Sequence, residues 1–467
     1  MADSTLLRDS PLTVALTTLT KTLITSFSIF GVSPSTAPNT PTPQISLLYK
    51  YPESYEFPLK SEQFIVPQPP TISKLPSVSK EIMKKHPTQY VTMLPGEETS
   101  TICVCLRQNE FLNITSDLIN PVGLTAELFK EPYYTQRTYC FTTTCPYFNC
   151  LFALLSQLSE IGYRNKLEYY YSFILRVEMQ SPNFTVNPIK ALLEVKLQQF
   201  MKLERPTEAI NVMLGNNNKT TFPCSKVFLS SQKSSEIERS MGLVGDYSLI
   251  RLFCTMTVED VLNTLCMMMC GYGVILLSDN VTSTSSCVLG LLTLFYPFYW
   301  PGIFIPYVPD ILFEFFETPV PILCGGSYPP YKCKVNAYVE ELDQGYWNYF
   351  TGRKTKYFDS VTLPEVLLPW RTELLNQLNV LVKTYVPTSP SVEEREVFIE
   401  MMDQKKVVDF SEHVRKVLRE VLYNRLIQSV YNFCLKTKTD KLDLFIQKYP
   451  KQFYPKGYAF MKKFVES

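Results

Sequence analysis

The chain has 467 residues, with 45 Lys and Arg against 44 Asp and Glu, so its formal net charge of +1 exerts no global pull on nucleic acid. An apolar content of 45% over this length allows large cores, in about two to four domains. With two histidines, His86 and His413, most metal sites and catalytic triads are excluded, because those usually set a His beside a Cys, Ser or carboxylate.

SFSIFGV (26–32) alternates as a strand, and the Pro/Ser/Thr loop 33–43 separates it from ISLLYKYP (45–52). TQYVTML and TICVCLR then pair as strands around a turn at Pro95-Gly96-Glu97-Glu98, so the first ~125 residues read as an α/β module with an antiparallel sheet. In TYCFTTTCPYFNCLFALLSQLSEIG (138–162) a strand precedes a helix started by Pro146, with Phe148, Leu151, Phe152, Leu155 and Leu158 on one face. A polar turn follows at Gly215-Asn216-Asn217-Asn218-Lys219. From Thr257 the chain turns strongly apolar. Thr257 with Asp260 resembles a capping box for a helix to about Gly271, and Gly273 precedes the strand VILLS. Ser278-Asp279-Asn280 ends that strand, and Thr282 or Ser283 can cap a second helix through Phe295. KVNAYVEELD alternates as another strand until Asp343, and the linker TYVPTSPS (384–391) leads to a helical tail. There, residues 414, 417, 418, 421, 422, 426 and 430 form one apolar stripe, a docking face.

Thirteen cysteines, an odd number set largely in apolar runs, read as buried, reduced thiols in the cytosol. The N-terminal stretch lacks the basic start of a secretory signal, so the sequons at Asn113, Asn183, Asn218 and Asn280 carry no glycan in this reading. Cys140, Cys145 and Cys150 recur every five residues, which is core spacing and not a zinc pair. Residues 280–309 contain no charged side chain, which raises the question of a membrane span. Pro297, Pro301, Pro306 and Pro309 answer it, since each removes a backbone donor; a helix end, a turn and the buried strand GIFIPYVP fit better.

The order of motifs in this region resembles the core module of the DENN family. It carries VILLS (274–278), YPF (296–298), Trp300, IPYVP (305–309) and TPVPILCGG (318–326) at the family's spacing. Upstream, SFSIFGV, ISLLYKYP, QFIVPQPP and TQYVTMLPGEETSTICVCLR look like the successive signatures of the upstream DENN module. Downstream, KVNAYVEELDQG resembles the strand after the core, and FIQKYPKQFYPKGYAFMKKFVES the family's C-terminal end. Two places depart from the pattern: Cys270-Gly271-Tyr272-Gly273 stands where charged residues are frequent, and Pro301-Gly302 where a His or Arg often follows the Trp. Both bear on partner identity more than on fold.

The resemblance implies an α/β protein with a longin-like upstream module at 24–130, an α/β sandwich core at 137–326 and an all-helical downstream module at 327–467. It implies a guanine-nucleotide exchange factor for a Rab-family small GTPase, cytoplasmic and peripheral on vesicle or endosomal membranes. Such exchange changes no covalent bond, so no catalytic residue, cofactor, metal or nucleic acid is expected. Two other activities stay open: a scaffold or effector for a GTP-loaded Rab, and a GTPase-activating protein of the longin–DENN kind, for which Arg107 is the arginine at the most suitable edge. The tail from residue 401, with 14 Lys and Arg against 7 Asp and Glu, reads either as a solvated helix face or as a contact to anionic membrane. Position selects the contact candidates, because binding concentrates at turns and strand ends. Ser278, Asp279 and Asn280 lie where a strand hands over to a helix; Arg107, Gln108 and Asn109 end the last strand of the upstream module. Tyr296, Pro297, Phe298, Trp300, Pro306 and Pro309 read as core.

Overall fold

The computed structural model describes residues 22–33, 36, 40–74, 87–94, 101–112, 133–159, 195–203, 210–214, 218–223, 232–335, 337–342, 358–359, 366–386, 392–437, 460, 462 and 464. The expected turn at Pro95–Glu98 lies outside them, as do residues 215–217 of the polar turn. Two compact units are present, one of the described residues up to Phe222 with Pro309–Ile311, the other of those from Pro223 onward. Both mix helix and sheet, as an α/β protein should.

The first unit is built on a six-stranded antiparallel sheet. Its strands are β1 (Ser26–Val32), β2 (Ile45–Tyr51), β3 (Ser73–Lys74), β4 (Thr88–Leu94), β5 (Thr101–Phe111) and β6 (Tyr133–Thr143), in the order β2-β1-β6-β5-β4 with β3 beside β6. The pairing of TQYVTML with TICVCLR is found as expected, Tyr90 opposite Cys105. The strand from TYCFTT is longer than its motif and lies at the centre of this sheet, paired with both β1 and β5. The two faces differ in chemistry. Phe27, Ile29, Tyr139, Phe141, Ile102, Val104 and Leu106 share one face, where Phe27 and Phe141 pack with centroids 5.6 Å apart. The other carries Ser26, Ser28, Thr138, Cys140, Thr142, Cys103, Cys105 and Tyr90, all buried. The short helix α1 (Ser61–Ile65) covers this polar face, and Tyr90 Oη donates to Ile65 O at 2.5 Å. Helix α2 (Phe148–Ser159) buries all five residues expected on its apolar face. A helix at 195–201 (α3) and a hairpin, β7 (Ile210–Leu214) with β8 (Asn218–Phe222), complete the unit. Asn218 and Lys219 thus belong to a strand, not to the turn.

In the second unit the long helix α4 (Gln232–Thr255) is buried on all sides from Met241 to Cys254. Helix α5 (Val258–Met269) follows, capped by Thr257, whose Oγ1 accepts from Asp260 N at 3.1 Å. It stops before the expected Gly271, which has φ 78° and leads the chain out to β9 (Gly273–Leu277). Helix α6 (Val281–Phe295) is buried throughout. Strand β10 (Ile303–Ile305) is shorter than GIFIPYVP, because Pro306 and Pro309 cannot donate to a ladder. A 3₁₀ helix (Asp310–Glu317), which belongs to this unit from Leu312 on, β11 (Ile322–Gly326), β12 (Cys333–Lys334) and β13 (Ala337–Glu341) come next. The sheet is parallel throughout, ordered β10-β11-β9-β13. Both faces of VILLS are buried, which is why it reads as an unbroken apolar run. No single helix among the described residues is long and apolar enough to cross a membrane.

Residues from 327 on are not all helical, which corrects that expectation. KVNAYVEELD splits into β12 and β13; β13 forms the edge of the central sheet, and β12 pairs with β14 (Phe358–Asp359). The helices begin at α7 (Arg371–Tyr385), then α8 (Val392–Met401) and α9 (Gln404–Val417). A π-helical stretch (Leu418–Tyr423) runs into α10 (Asn424–Thr437). The apolar stripe docks as expected through Val414, Leu418, Val421, Leu422 and Leu426, while residues 417 and 430 stay half-buried. Phe410, one turn earlier, meets Phe253 of α4 edge-on at 5.8 Å.

Candidate functional site

At the carboxyl end of β9, three consecutive side chains have three different tasks. Ser278 is buried; its amide donates to Gly326 O of β11 at 3.0 Å, and its Oγ accepts from Asn280 N at 2.9 Å. Asn280 Oδ1 accepts from Ser283 N at 3.0 Å and so caps α6. The expected caps, Thr282 and Ser283, fall inside the first turn instead. Asn wins because its short side chain reaches the orphan amide from an extended backbone. Asp279, held between the tied Ser278 and the capping Asn280, is exposed. The edge beside it is packed shut. A Cβ on Gly325 would lie 2.2 Å from Thr284 Cγ2, and one on Gly326 2.7 Å from Phe316 Cζ. At this edge the unit presents a rigid surface carrying a carboxylate, fixed by backbone hydrogen bonds on both sides.

Residues 107–109 lie within a strand and do not end one, because β5 continues to Phe111 with β6 alongside. Their polarity has another cause. Gln108 Nε2 donates to Glu110 Oε1 at 2.9 Å, Arg137 Nη1 to Glu110 Oε2 at 3.0 Å, and Tyr139 Oη to Glu110 Oε1. Arg137 and Glu110 are almost fully buried, so each charge depends on the other and on these added donors. Burial, with the Glu110 carboxylate next, pushes the Tyr139 phenol well above its ordinary range and keeps it a donor. Gln108 is therefore a structural member of this network. Arg107 and Asn109 face the opposite side and are half-buried; Arg107 Nη2 reaches Pro69 O at 3.5 Å. Arg107 sits mid-strand, not on a mobile loop, a poor place for an inserted arginine finger.

The six candidates thus fall into two triplets, one in each unit. Within each, one residue is locked inside (Gln108, Ser278), and Arg107, Asn109, Asp279 and Asn280 keep accessible surface. Sequence reasoning overlooked Glu110, Arg137 and Tyr139. The signal was present: Gln108-x-Glu110 and Arg137-x-Tyr139 put polar groups on one face at period two. Of the two histidines, His86 lies outside the described residues, and His413 is exposed, its Nδ1 2.5 Å from Asp409 O. No group of three or more His, Cys, Asp or Glu among the described residues is placed to hold a metal ion.

Residues 134–336 match the family profile of the DENN (AEX-3) domain. The match starts in β6 of the first unit, takes in β9, α6, β10 and β11, and ends just before β13. No curated protein is matched by the chain.

Proposed function

This chain carries a DENN domain, and we propose from that premise that it is a guanine-nucleotide exchange factor for a Rab-family small GTPase in membrane traffic. The family match carries the reading, since DENN-domain proteins generally interact with Rab GTPases. Nanomolar to picomolar nucleotide affinity leaves about 12–16 kcal/mol to overcome on release. An exchange factor overcomes it by binding the nucleotide-free form more tightly and displacing the segments that hold phosphate and Mg²⁺. Rigid surfaces suit that task, and the tied Ser278–Asn280 junction is one. On this reading Asp279, Asn280, Arg107 and Asn109 contact the GTPase, while Ser278 and Gln108 hold their neighbours in place. The upstream, core and downstream modules at 24–130, 137–326 and 327–467 belong to the same proposal, as does a cytoplasmic protein that visits vesicle or endosomal membranes.

The test is release of fluorescent GDP from a full panel of purified Rabs. One or a few should respond, with release at least tenfold faster, and Asp279→Ala should weaken that response without changing the folding midpoint. A panel with no responder sinks the exchange reading. Preferential capture of a GTP-loaded Rab over the nucleotide-free form would replace it with an effector role.

A further inference from the structure

The buried polar face of the first unit's sheet contains three thiols in one place. Cys105 of β5 stands directly opposite Cys140 of β6, and Cys103 shares that face one pair further on, beside Thr142. Ser28 of β1 is opposite Cys140 on its other side. All three cysteines are free and fully buried. Tyr55 belongs to the loop 52–60 and interacts with Ser26, Thr142, Cys103 and Cys140. That loop is tied by Lys50 Nζ donating to Tyr55 O at 3.0 Å and by the edge-on pair Tyr55–Phe57 at 4.9 Å, while Glu53, Ser54, Glu56, Leu59 and Lys60 around it are exposed.

We propose that Cys105 and Cys140 form an oxidation site, a cross-strand dithiol that hydrogen peroxide converts to a disulfide and a thiol reductant restores. Register decides which pair closes. Directly opposed residues of antiparallel strands have Cα atoms about 4.5–5.5 Å apart, within the roughly 4.4–6.8 Å of disulfides. The diagonal pair Cys103–Cys140, at about 7–8 Å, falls outside that range. Electrostatics decides which sulfur reacts first. Burial pushes all three thiols up, but at Cys140 the side chains of Cys103, Cys105 and Ser28 outweigh it and bring the thiol below its ordinary value. The Cys140 thiolate attacks the peroxide oxygen; the O–O bond breaks, and a sulfenic acid and, after protonation, water result. The Cys105 sulfur then displaces that hydroxyl as a second water and closes the disulfide. Two thiols have lost two electrons to one peroxide. The bridge staples β5 to β6 two residues before Arg107. This inference does not depend on the identity of a partner.

The full chain is treated with hydrogen peroxide, blocked with N-ethylmaleimide and mapped by mass spectrometry without reduction. Cys105–Cys140 should be at least tenfold more abundant than any other bridge to Cys140, and dithiothreitol should reverse it. Cys103→Ser should keep the bridge; Cys105→Ser should leave a Cys140 sulfenic acid that dimedone traps. A dominant Cys103–Cys140 bridge, or a wild-type Cys140 left as free thiol or carried on to sulfinic acid, overturns the proposal. The wild-type map decides the matter even if a variant fails to fold.

Discussion

Glu340 shows how one side chain can set a pH dependence. Tyr338 Oη donates to its Oε2 at 2.6 Å. Burial first, with Asp260 and Glu341 adding to it, pushes the Glu340 carboxyl from 4.5 to about 7 against the opposing Tyr338 bond. The folded state therefore holds this proton more tightly than the unfolded chain. Its contribution to stability is complete below about pH 4.5, declines as pH rises towards 7, and stays lost above. Glu340→Gln should be more stable than wild type at pH 8 by about 1–3 kcal/mol, with the gap closing near pH 4.5. Urea midpoints across this range measure it, and a constant gap would refute it. Trp300 makes a different case. It is buried, its Nε1 donates to Ile303 O at 3.0 Å, and it meets Phe295 edge-on at 5.9 Å. Trp300→Ala should cost about 3–5 kcal/mol and lower the thermal midpoint of the second unit. A variant that melts like wild type and loses only affinity for a GTPase would show that this residue is contact surface, not core.

Elements follow from local pattern where a single periodicity governs them, and go astray where tertiary pairing intervenes. The helix over Phe148–Ser159 and the stripe from Val414 to Leu426 were legible because their burial repeats with the helical period, and VILLS because burial on both faces leaves an unbroken apolar run. The end of β5 was not. Arg107-Gln108-Asn109-Glu110 resembles a polar strand terminus, yet Arg137 and Tyr139 from β6 satisfy Glu110 and let the strand run on. Likewise β13 joins the central sheet beside β9, a pairing with residues some sixty positions earlier that no local window contains. Docking of α9 can be tested as an element. Phe410 is buried between Phe253 and Tyr385, with centroids at 5.8 and 5.6 Å. Phe410→Ala should therefore cost about 3–5 kcal/mol in denaturant. Ile427→Ser, on an exposed position of α10, should change stability by no more than about 0.5 kcal/mol. Equal effects from the two would mean that α9 does not dock through Phe410.

For the whole molecule, two α/β units hold surfaces in place, and the proposed activity asks for surfaces rather than for acid–base groups. The family match crosses from the first unit into the second, so the matched stretch and the compact units follow different boundaries. Read alone, the chain determined the α/β class, the motifs from VILLS to TPVPILCGG, and the uncharged run as core except at its turn, where Tyr296, Pro297 and Phe298 are half-buried and Tyr299 and Pro301 exposed, because period, proline chemistry and motif order are properties of neighbouring residues. Tertiary structure alone decided which polar residues are available. Ser278 and Asp279 are adjacent in sequence, but Ser278 is tied to Gly326 inside the sheet and Asp279 is exposed. The same holds for Cys105 and Cys140, thirty-five positions apart and set opposite each other by strand register. Whether a polar atom meets water or a buried partner depends on what the rest of the chain brings to it, and that is not a local property.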